Sequence, residues 1–346
     1  MKKLRLYLIA LSITILSVGF LNSAKVTSAA TNLSTSVSVH ELPKNDVVMT
    51  PNMTPENFLS QVLRQYKHSY PNFEGTVKAY TPEQYQALQK GKQVEGITSE
   101  YLSKMREHHV LQAQSVSPVS NPNVAPFSSV GVVSVWFSLP NGIMIINSPY
   151  LSGGTTGGTG FSIGVNRIGT AAHILYSQGH YIAGGIVNFG DSRPNHSGVG
   201  YGILTKSMVP QQWISHESPY SSDYAAALVS IKSGKMPAAL SLNTHPSNQQ
   251  QAKSIGFPGD PQSGYELQGV MVQSSGVVNA YAEDPLGVYV SQQVKSYHGM
   301  SGGPLLDSNN SVIGINILAW PDTHNIEYQW GFRRMNDAVA GFLINN

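Results

Sequence analysis

From about residue 130 onward the sequence predicts an all-β domain, a sandwich or a barrel, behind a partly helical N-terminal region. Three observations predict it. Short runs of Val, Ile, Phe and Tyr alternate with Gly, Asn, Ser and Pro, the spacing of many short strands joined by turns. The composition is turn-rich and charge-poor, with 33 Gly, 20 Pro and 17 Tyr and only 12% charged residues, against a typical ~25%. Helix-start signals are confined to the first 120 residues and the last dozen.

In chain order, Lys2, Lys3 and Arg5 precede a mainly apolar stretch at 6–21, and small residues follow, ending Thr27-Ser28-Ala29-Ala30. A cationic start, an apolar run and a small-x-small ending are the marks of a secretory signal peptide, expected to span 1–30. The run is shorter than the roughly 20 residues that cross a bilayer. Three segments then open as helices. Thr54-Pro55-Glu56 precedes Phe58, Val62 and Leu63 at helical spacing. Thr81-Pro82-Glu83 opens a shorter one, and Thr98-Ser99-Glu100 precedes Tyr101, Leu102 and Met105. Residues 115–129, with Pro118, Pro122 and Pro126, read as an extended linker.

Strand-like runs follow at 130–139, 142–147, 161–168, 181–188, 225–231, 265–278, 287–291 and 312–318. The Gly-rich run at 153–160 lacks the Gly-Lys-Ser/Thr ending of a phosphate-binding loop and reads as a plain loop. Residues 335–344 carry apolar positions at helical spacing, including Ala338 and Phe342, which predicts a C-terminal helix. At 346 residues the chain has room for about two domains.

A net charge of +2 with no basic stripe argues against nucleic acid or an anionic membrane as partner. The absence of cysteine excludes disulfides and thiolate chemistry, so a large buried core must hold the fold. No cofactor or metal is expected. His173 and His180 are seven apart, and there is no H-E-x-x-H to pair them on a helix.

Three local patterns carry chemistry. Gly169-Thr170-Ala171-Ala172-His173 places a histidine on a turn of small residues just after an apolar run. Its neutral imidazole can take a hydroxyl proton near pH 7 and return it to a leaving amine. Ser222-Asp223-Tyr224-Ala225-Ala226-Ala227 sets a carboxylate at the start of a strand. A half-buried carboxylate needs a donor, and a histidine Nδ1–H is a suitable one. Gly299-Met300-Ser301-Gly302-Gly303 flanks a serine with glycines, so a tight turn can expose Oγ. The amides of Gly299 and Ser301 can then converge as oxyanion donors. Taken singly, each has a structural alternative: a core histidine, a capping aspartate, a turn. Jointly, they stand in the order His, Asp, Ser at separations of 50 and 78 residues, the order used by chymotrypsin-type double barrels.

The region from about residue 124 to the C-terminus resembles the secreted bacterial trypsin-like serine proteases of the glutamyl endopeptidase and exfoliative-toxin type. The segments that carry the resemblance are GTAAH at 169–173, SDYAAALV at 222–229, IGFPGDP at 255–261 and HGMSGGPLLD at 298–307. VIGIN at 312–316 and QWGF at 329–332 add to them. The resemblance implies a chymotrypsin-like double six-stranded β-barrel with a C-terminal helix. It implies His173 as general base, Asp223 as its orienter and Ser301 as nucleophile, with Gly299 and Ser301 forming the oxyanion hole. It further implies that 31–123 is a propeptide and 124–346 the protease domain. The expected partners are protein or peptide substrates and an activating protease, for a monomer secreted to the extracellular space.

Two positions depart from the pattern. Met300 stands where animal trypsins use an aspartate to receive the freed N-terminal amine. Asn316 stands where glutamyl endopeptidases place a histidine that meets the substrate glutamate. A neutral amide cannot supply that charge, so a changed or broader P1 choice is expected. Ser296 matches the small hydroxyl residue of the opposite pocket wall. His298 lies at the pocket rim, Ala319 narrows the pocket, and a substrate strand would pair along Ile317, Leu318 and Ala319.

Two other readings compete. Gly299-Met300-Ser301-Gly302-Gly303 also spells the G-x-S-x-G of α/β-hydrolases, but that fold needs its Asp and His after the serine, and only 45 residues follow, with His324 the single histidine. A toxin-like or binding protein on a protease scaffold is the remaining alternative. Labelling by a fluorophosphonate separates it from an active enzyme.

Overall fold

In the computed structural model the described residues are 36–48, 53–107, 116–148, 151, 157–191, 198–216, 220–259, 269–321 and 328–346. The expected signal peptide lies outside them. The N-terminal elements are β1 (Val37–Glu41), α1 (Pro55–Ser69), β2 (Lys78–Tyr80), α2 (Pro82–Gln89), α3 (Ser99–Glu107) and β3 (Ser117–Pro118). The three helices start where predicted because a threonine hydroxyl accepts a free first-turn amide each time. Thr54 takes that of Asn57, Thr81 that of Gln84 and Thr98 that of Tyr101. Pro55 and Pro82 follow their caps, where a missing N–H leaves no bond unmade.

The next elements are β4 (Val130–Leu139), β5 (Ile143–Asn147), β6 (Gly158–Gly164), β7 (Arg167–Thr170), α4 (Ala172–Leu175), β8 (Tyr176–Ser177), β9 (His180–Tyr181), β10 (Gly184–Phe189), β11 (Gly200–Pro210), α5 (Gln211–His216) and β12 (Ala225–Gly234). Following the pairings from β4 through β10, β11, β12, β7 and β6 returns to β4, which closes a six-stranded antiparallel ring. Last come β13 (Gln249–Gly256), β14 (Val272–Tyr281), β15 (Asp284–Ser291), β16 (Pro304–Leu306), β17 (Val312–Pro321), β18 (Tyr328–Arg334) and α6 (Asp337–Asn345). They form a second six-stranded ring in the order β13, β16, β17, β18, β15, β14, closed by β14 on β13. The sequence leaves sandwich and barrel open; the closed pairings decide for two barrels.

Two local expectations change. The run at 161–168 is not one strand. It spans the β6–β7 hairpin, where Asn166 takes a left-handed φ of 53° and reverses the chain. The stretch read as a linker is woven into the second barrel. β3 pairs with β14 (Ser117↔Gln273, Pro118↔Val272), the Val119 amide bonds Met271 O, and Val116 and Val119 are buried. Prolines exclude a helix there, but they do not prevent two valines from finding apolar sites.

The N-terminal elements share the first barrel's core. Phe58, Val62 and Leu102 are fully buried in one cluster with Trp136, Phe161 and Phe189. β1 extends the sheet on β11, and β2 lies parallel to β5. Tyr66 inserts its hydroxyl beneath β5, accepting the Gly142 amide at 3.1 Å. Burying side chains of this size contributes on the order of 1.5–3 kcal/mol each. The second barrel fills its own interior with Val278, Tyr289, Leu305, Ile313 and Phe332. At the chain's end Asn336 caps α6, accepting the Val339 amide at 2.9 Å, and the Arg167 guanidinium binds the carbonyls of Leu343 and Asn346.

Candidate active site

His173 sits on the one-turn helix α4, directly after β7. β12 pairs with β7 in the register Ala225↔Thr170 and Ala226↔Gly169, which brings Asp223, just ahead of β12, alongside His173. Two hydrogen bonds join them. Asp223 Oδ1 accepts the His173 backbone N–H at 3.0 Å, and Oδ2 accepts from Nδ1 at 2.8 Å. The carboxylate is 4% exposed and the imidazole side chain 30% exposed. Anchored at Nδ1, the ring keeps Nε2 as its free acceptor. Burial pulls the His173 pKa down, but the charge and hydrogen bond of Asp223 outweigh it, and the net result lies above the usual 6.5. The Trp213 ring stands 6.5 Å away by centroid, fixed by its Nε1 donating to Tyr176 O at 3.1 Å.

Ser301 lies on the turn before β16 of the second barrel. The turn is docked on the histidine-bearing strand end of the first. A Cβ at Gly302 would fall 2.1 Å from Thr170 Oγ1 and 2.2 Å from Thr159 O, and the Gly302 φ of 82° also suits only glycine. Across the same seam, Ser301 O accepts the Thr159 amide at 2.8 Å. Thr170 is three residues from His173, so the Ser301 turn docks on the strand end that leads to the histidine. No hydrogen bond joins Ser301 Oγ to His173 Nε2 in this conformation; such contacts tighten when substrate binds.

The two peptides that carry the expected oxyanion donors are each tethered through their carbonyls. Gly299 has φ 94°. The carbonyl of His298 accepts the Gly259 amide at 2.8 Å, and the carbonyl of Met300 accepts the Gly303 amide at 3.0 Å. In a trans peptide N–H and C=O point in opposite directions. Each tethered carbonyl therefore turns the following amide, that of Gly299 or Ser301, away from the tether. Neither amide has a partner among the described residues.

The residues assigned to the specificity pocket are placed as follows. Ser296 is buried and His298 exposed. Asn316 is fully buried, with its amide committed to Ser254 Oγ at 2.8 Å and Met300 O at 3.2 Å. Ile317 is buried. Leu318 pairs with Gly331 and Ala319 with Trp330 on β18. The pairing of β16 with β17 ends at Ile315. The opposite edge of Ile317, Leu318 and Ala319 is thus unladdered among the described residues. A cavity of about 190 Å³ adjoins His173, lined by Pro82 and Gln86 of α2 and by Phe137, Ile145 and Asn147. Asn147 Oδ1 is buried there without a partner among the described residues. Neither this cavity nor Trp213 was legible in sequence, because both arise from segments brought together only by folding.

Solved structures share the two-barrel fold. One, described as a Glu endopeptidase in complex with MPD, aligns over 67% of this chain and 96% of its own at 21% identity, with a TM-score of 0.53. The fold is chymotrypsin-like. Residues 158–315 of this chymotrypsin-like chain match the family described as trypsin-like peptidase domain, a span that contains His173, Asp223 and Ser301. Other similar structures are the protease Anisep from Arthrobacter nicotinovorans (16% identity, 64% and 95% covered, TM-score 0.49) and the thermostable serine protease AL20 from an extremophilic microorganism (14%, 62% and 95%, 0.48). No curated protein matches this chain. The fold and the domain match together support a serine endopeptidase.

Proposed function

We propose that the protein is a secreted serine endopeptidase in which His173, Asp223 and Ser301 form the catalytic triad. The observation that carries this is the 2.8 Å His173–Asp223 pair at the seam where the Ser301 turn docks against Thr170. Ser301 Oγ attacks the scissile carbonyl while its proton passes to His173 Nε2. The negative charge that forms on the carbonyl oxygen is met by the amides of Gly299 and Ser301. His173 then gives the proton to the leaving amine, and the C–N bond breaks to leave an acyl-enzyme. Water, deprotonated by His173, releases the acid and restores the serine.

A substrate strand adds to the open edge of Ile317–Ala319. The leaving-group side runs past His173 toward the cavity lined by Phe137 and Ile145. The Asn316 amide is already bonded within the protein and carries no positive charge, so we assign a P1 preference broader than glutamate. Cleavage-site profiling on a peptide library reads this directly, and a strict glutamate requirement would refute it.

The precursor carries a signal peptide over 1–30 and a propeptide over 31–123, cut by an activating protease to yield a monomeric extracellular enzyme. A cut at Asn123/Val124 would leave β1 and β2 paired with the first barrel and β3 with the second. N-terminal sequencing with the intact native mass shows whether the segment leaves after cleavage. The decisive test of the enzyme is Ser301→Ala. Peptide hydrolysis and fluorophosphonate labelling are expected to vanish with the fold intact, and hydrolysis persisting in that purified variant rules the assignment out.

A further inference from the structure

We propose that Thr159, with Asn316 as its counterpart, is a positioning residue that holds the oxyanion hole in its working orientation. The inference rests on the serine endopeptidase reading above. It starts from a conflict inside the nucleophile turn. Position 299 must be glycine, because a Cβ there would lie 2.5 Å from Phe257 O and 2.6 Å from Gly259 N. Yet glycine lets its flanking peptides rotate freely. A flip of the His298–Gly299 peptide would remove one donor from the hole and put a carbonyl oxygen in its place. Inside the turn the Met300 amide donates to Tyr297 O at 2.9 Å and the Gly303 amide to Met300 O at 3.0 Å, but the His298–Gly299 peptide is held only from outside, by the Gly259 amide.

The structure shows how. Thr159 is fully buried at the seam between the barrels. Its Oγ1 donates to Gly299 O at 2.9 Å and accepts the Phe257 amide at 3.1 Å. Its own amide donates to Ser301 O at 2.8 Å, and its carbonyl accepts Thr170 Oγ1 at 2.8 Å. One side chain therefore ties the peptide after Gly299 to the 257–259 turn, whose Gly259 amide holds the peptide before it. The next peptide is held by Asn316, whose Nδ2 donates to Met300 O at 3.2 Å alongside the Gly303 amide. The carbonyls of His298 and Met300 share their peptides with the Gly299 and Ser301 amides and set their directions, while the Thr159 bond to Gly299 O holds the peptide between them. A β-branched threonine suits the task because its χ1 is stiff and its hydroxyl both donates and accepts. Thr159 touches no reacting atom; it acts through Gly299.

The test compares Thr159→Val, which keeps the shape and loses the hydroxyl, with Thr159→Ser, which keeps the hydroxyl. Thr159→Val is expected to lower kcat roughly 10- to 100-fold, with KM within about twofold. A peptide aldehyde, which mimics the tetrahedral intermediate, is expected to weaken in parallel. Thr159→Ser is expected to restore most of the loss, and Asn316→Ala to lower kcat in the same selective way. In a Ser301→Ala background, Thr159→Val should leave peptide binding unchanged. The proposal is overturned if Thr159→Val keeps kcat within twofold, if Thr159→Ser fails like valine, or if peptide binding is lost together with kcat. Hydrolysis surviving in Ser301→Ala alone would instead overturn the serine reading and this proposal with it.

Discussion

The first barrel presents its half of the candidate site with side chains alone, and the second presents a serine side chain on a turn held through its main chain. His173 is held by one ion pair and a tether from its own amide to the same carboxylate. The Ser301 turn is held by carbonyls, each tied to a neighbour outside or across the turn. Their cores differ as well. Part of the second ring's interior forms a separate cluster, whereas the large cluster that holds the first ring's core takes in Phe58, Val62 and Leu102 from outside the rings as well as Ile255, Val312 and Ile315 of the second. The charged half can thus be broken by a single change of charge. The oxyanion amides lose their orientation when the supports around them are removed, and Phe58, Val62 and Leu102 reach the core from a segment that precedes the first barrel.

The largest expected effect strikes the charged half. Asp223→Asn keeps the shape but permits the wrong imidazole tautomer. It should lower kcat on the order of 10⁴-fold, with KM and the circular dichroism spectrum preserved. A loss under tenfold would mean that the carboxylate does not orient His173.

Next in size is a matched pair of core truncations. Phe58→Ala in α1 and Phe332→Ala in β18 both empty fully buried sites, and each should cost about 3–5 kcal/mol in denaturant unfolding. Equal losses would show that α1 is as much a part of the core as a barrel strand. A cost below about 1 kcal/mol at Phe58 would reduce the N-terminal segment to a surface cover.

The pH dependence is a smaller effect with a definite sign. Because Asp223 holds the His173 pKa above 6.5, the rising limb of kcat/KM should have its midpoint above that of a free histidine. In Asp223→Asn the burial remains without the charge, so the residual limb should move down. Stability from the same group runs the other way. It is fully present below the unfolded pKa and is lost as pH rises through the raised folded value. A limb unmoved by Asp223→Asn would separate the pH profile from this pair.

Smallest is the ion pair of β1 with β11. Lys206 Nζ lies 2.5 Å from a Glu41 carboxylate that is 70% exposed. Lys206→Ala should therefore change stability by no more than about 0.5 kcal/mol. A larger loss would show that β1 is held by charge rather than by its ladder.

Much of this was legible in the residues themselves. Thr54, Thr81 and Thr98 mark three helix starts, because a cap bonds an amide three residues away. The apolar run over 130–139 coincides with β4, and two of the three residues singled out for chemistry, His173 and Asp223, are joined by hydrogen bonds. Other features left no local mark. Thr159 sits at the end of a glycine-rich run that reads as a loop, and its hydroxyl meets Gly299 across 140 residues of chain. Asn316 reads as a pocket residue until its partners, Ser254 and Met300, are seen. Val116 and Val119 look like linker residues, since nothing nearby in sequence reveals that β14 offers an unpaired edge.

The sequence by itself determined the β-rich class, the helix starts and the identities of the three candidate catalytic residues. These depend on side-chain period, capping and turn chemistry, which act over a few residues. Only the tertiary structure decided that the strands close into two rings, that the N-terminal helices complete the first core, and that a buried threonine orients a glycine in the other barrel. Ring closure and tethering join groups far apart along the chain, and such contacts depend on which surfaces pack together rather than on any local pattern.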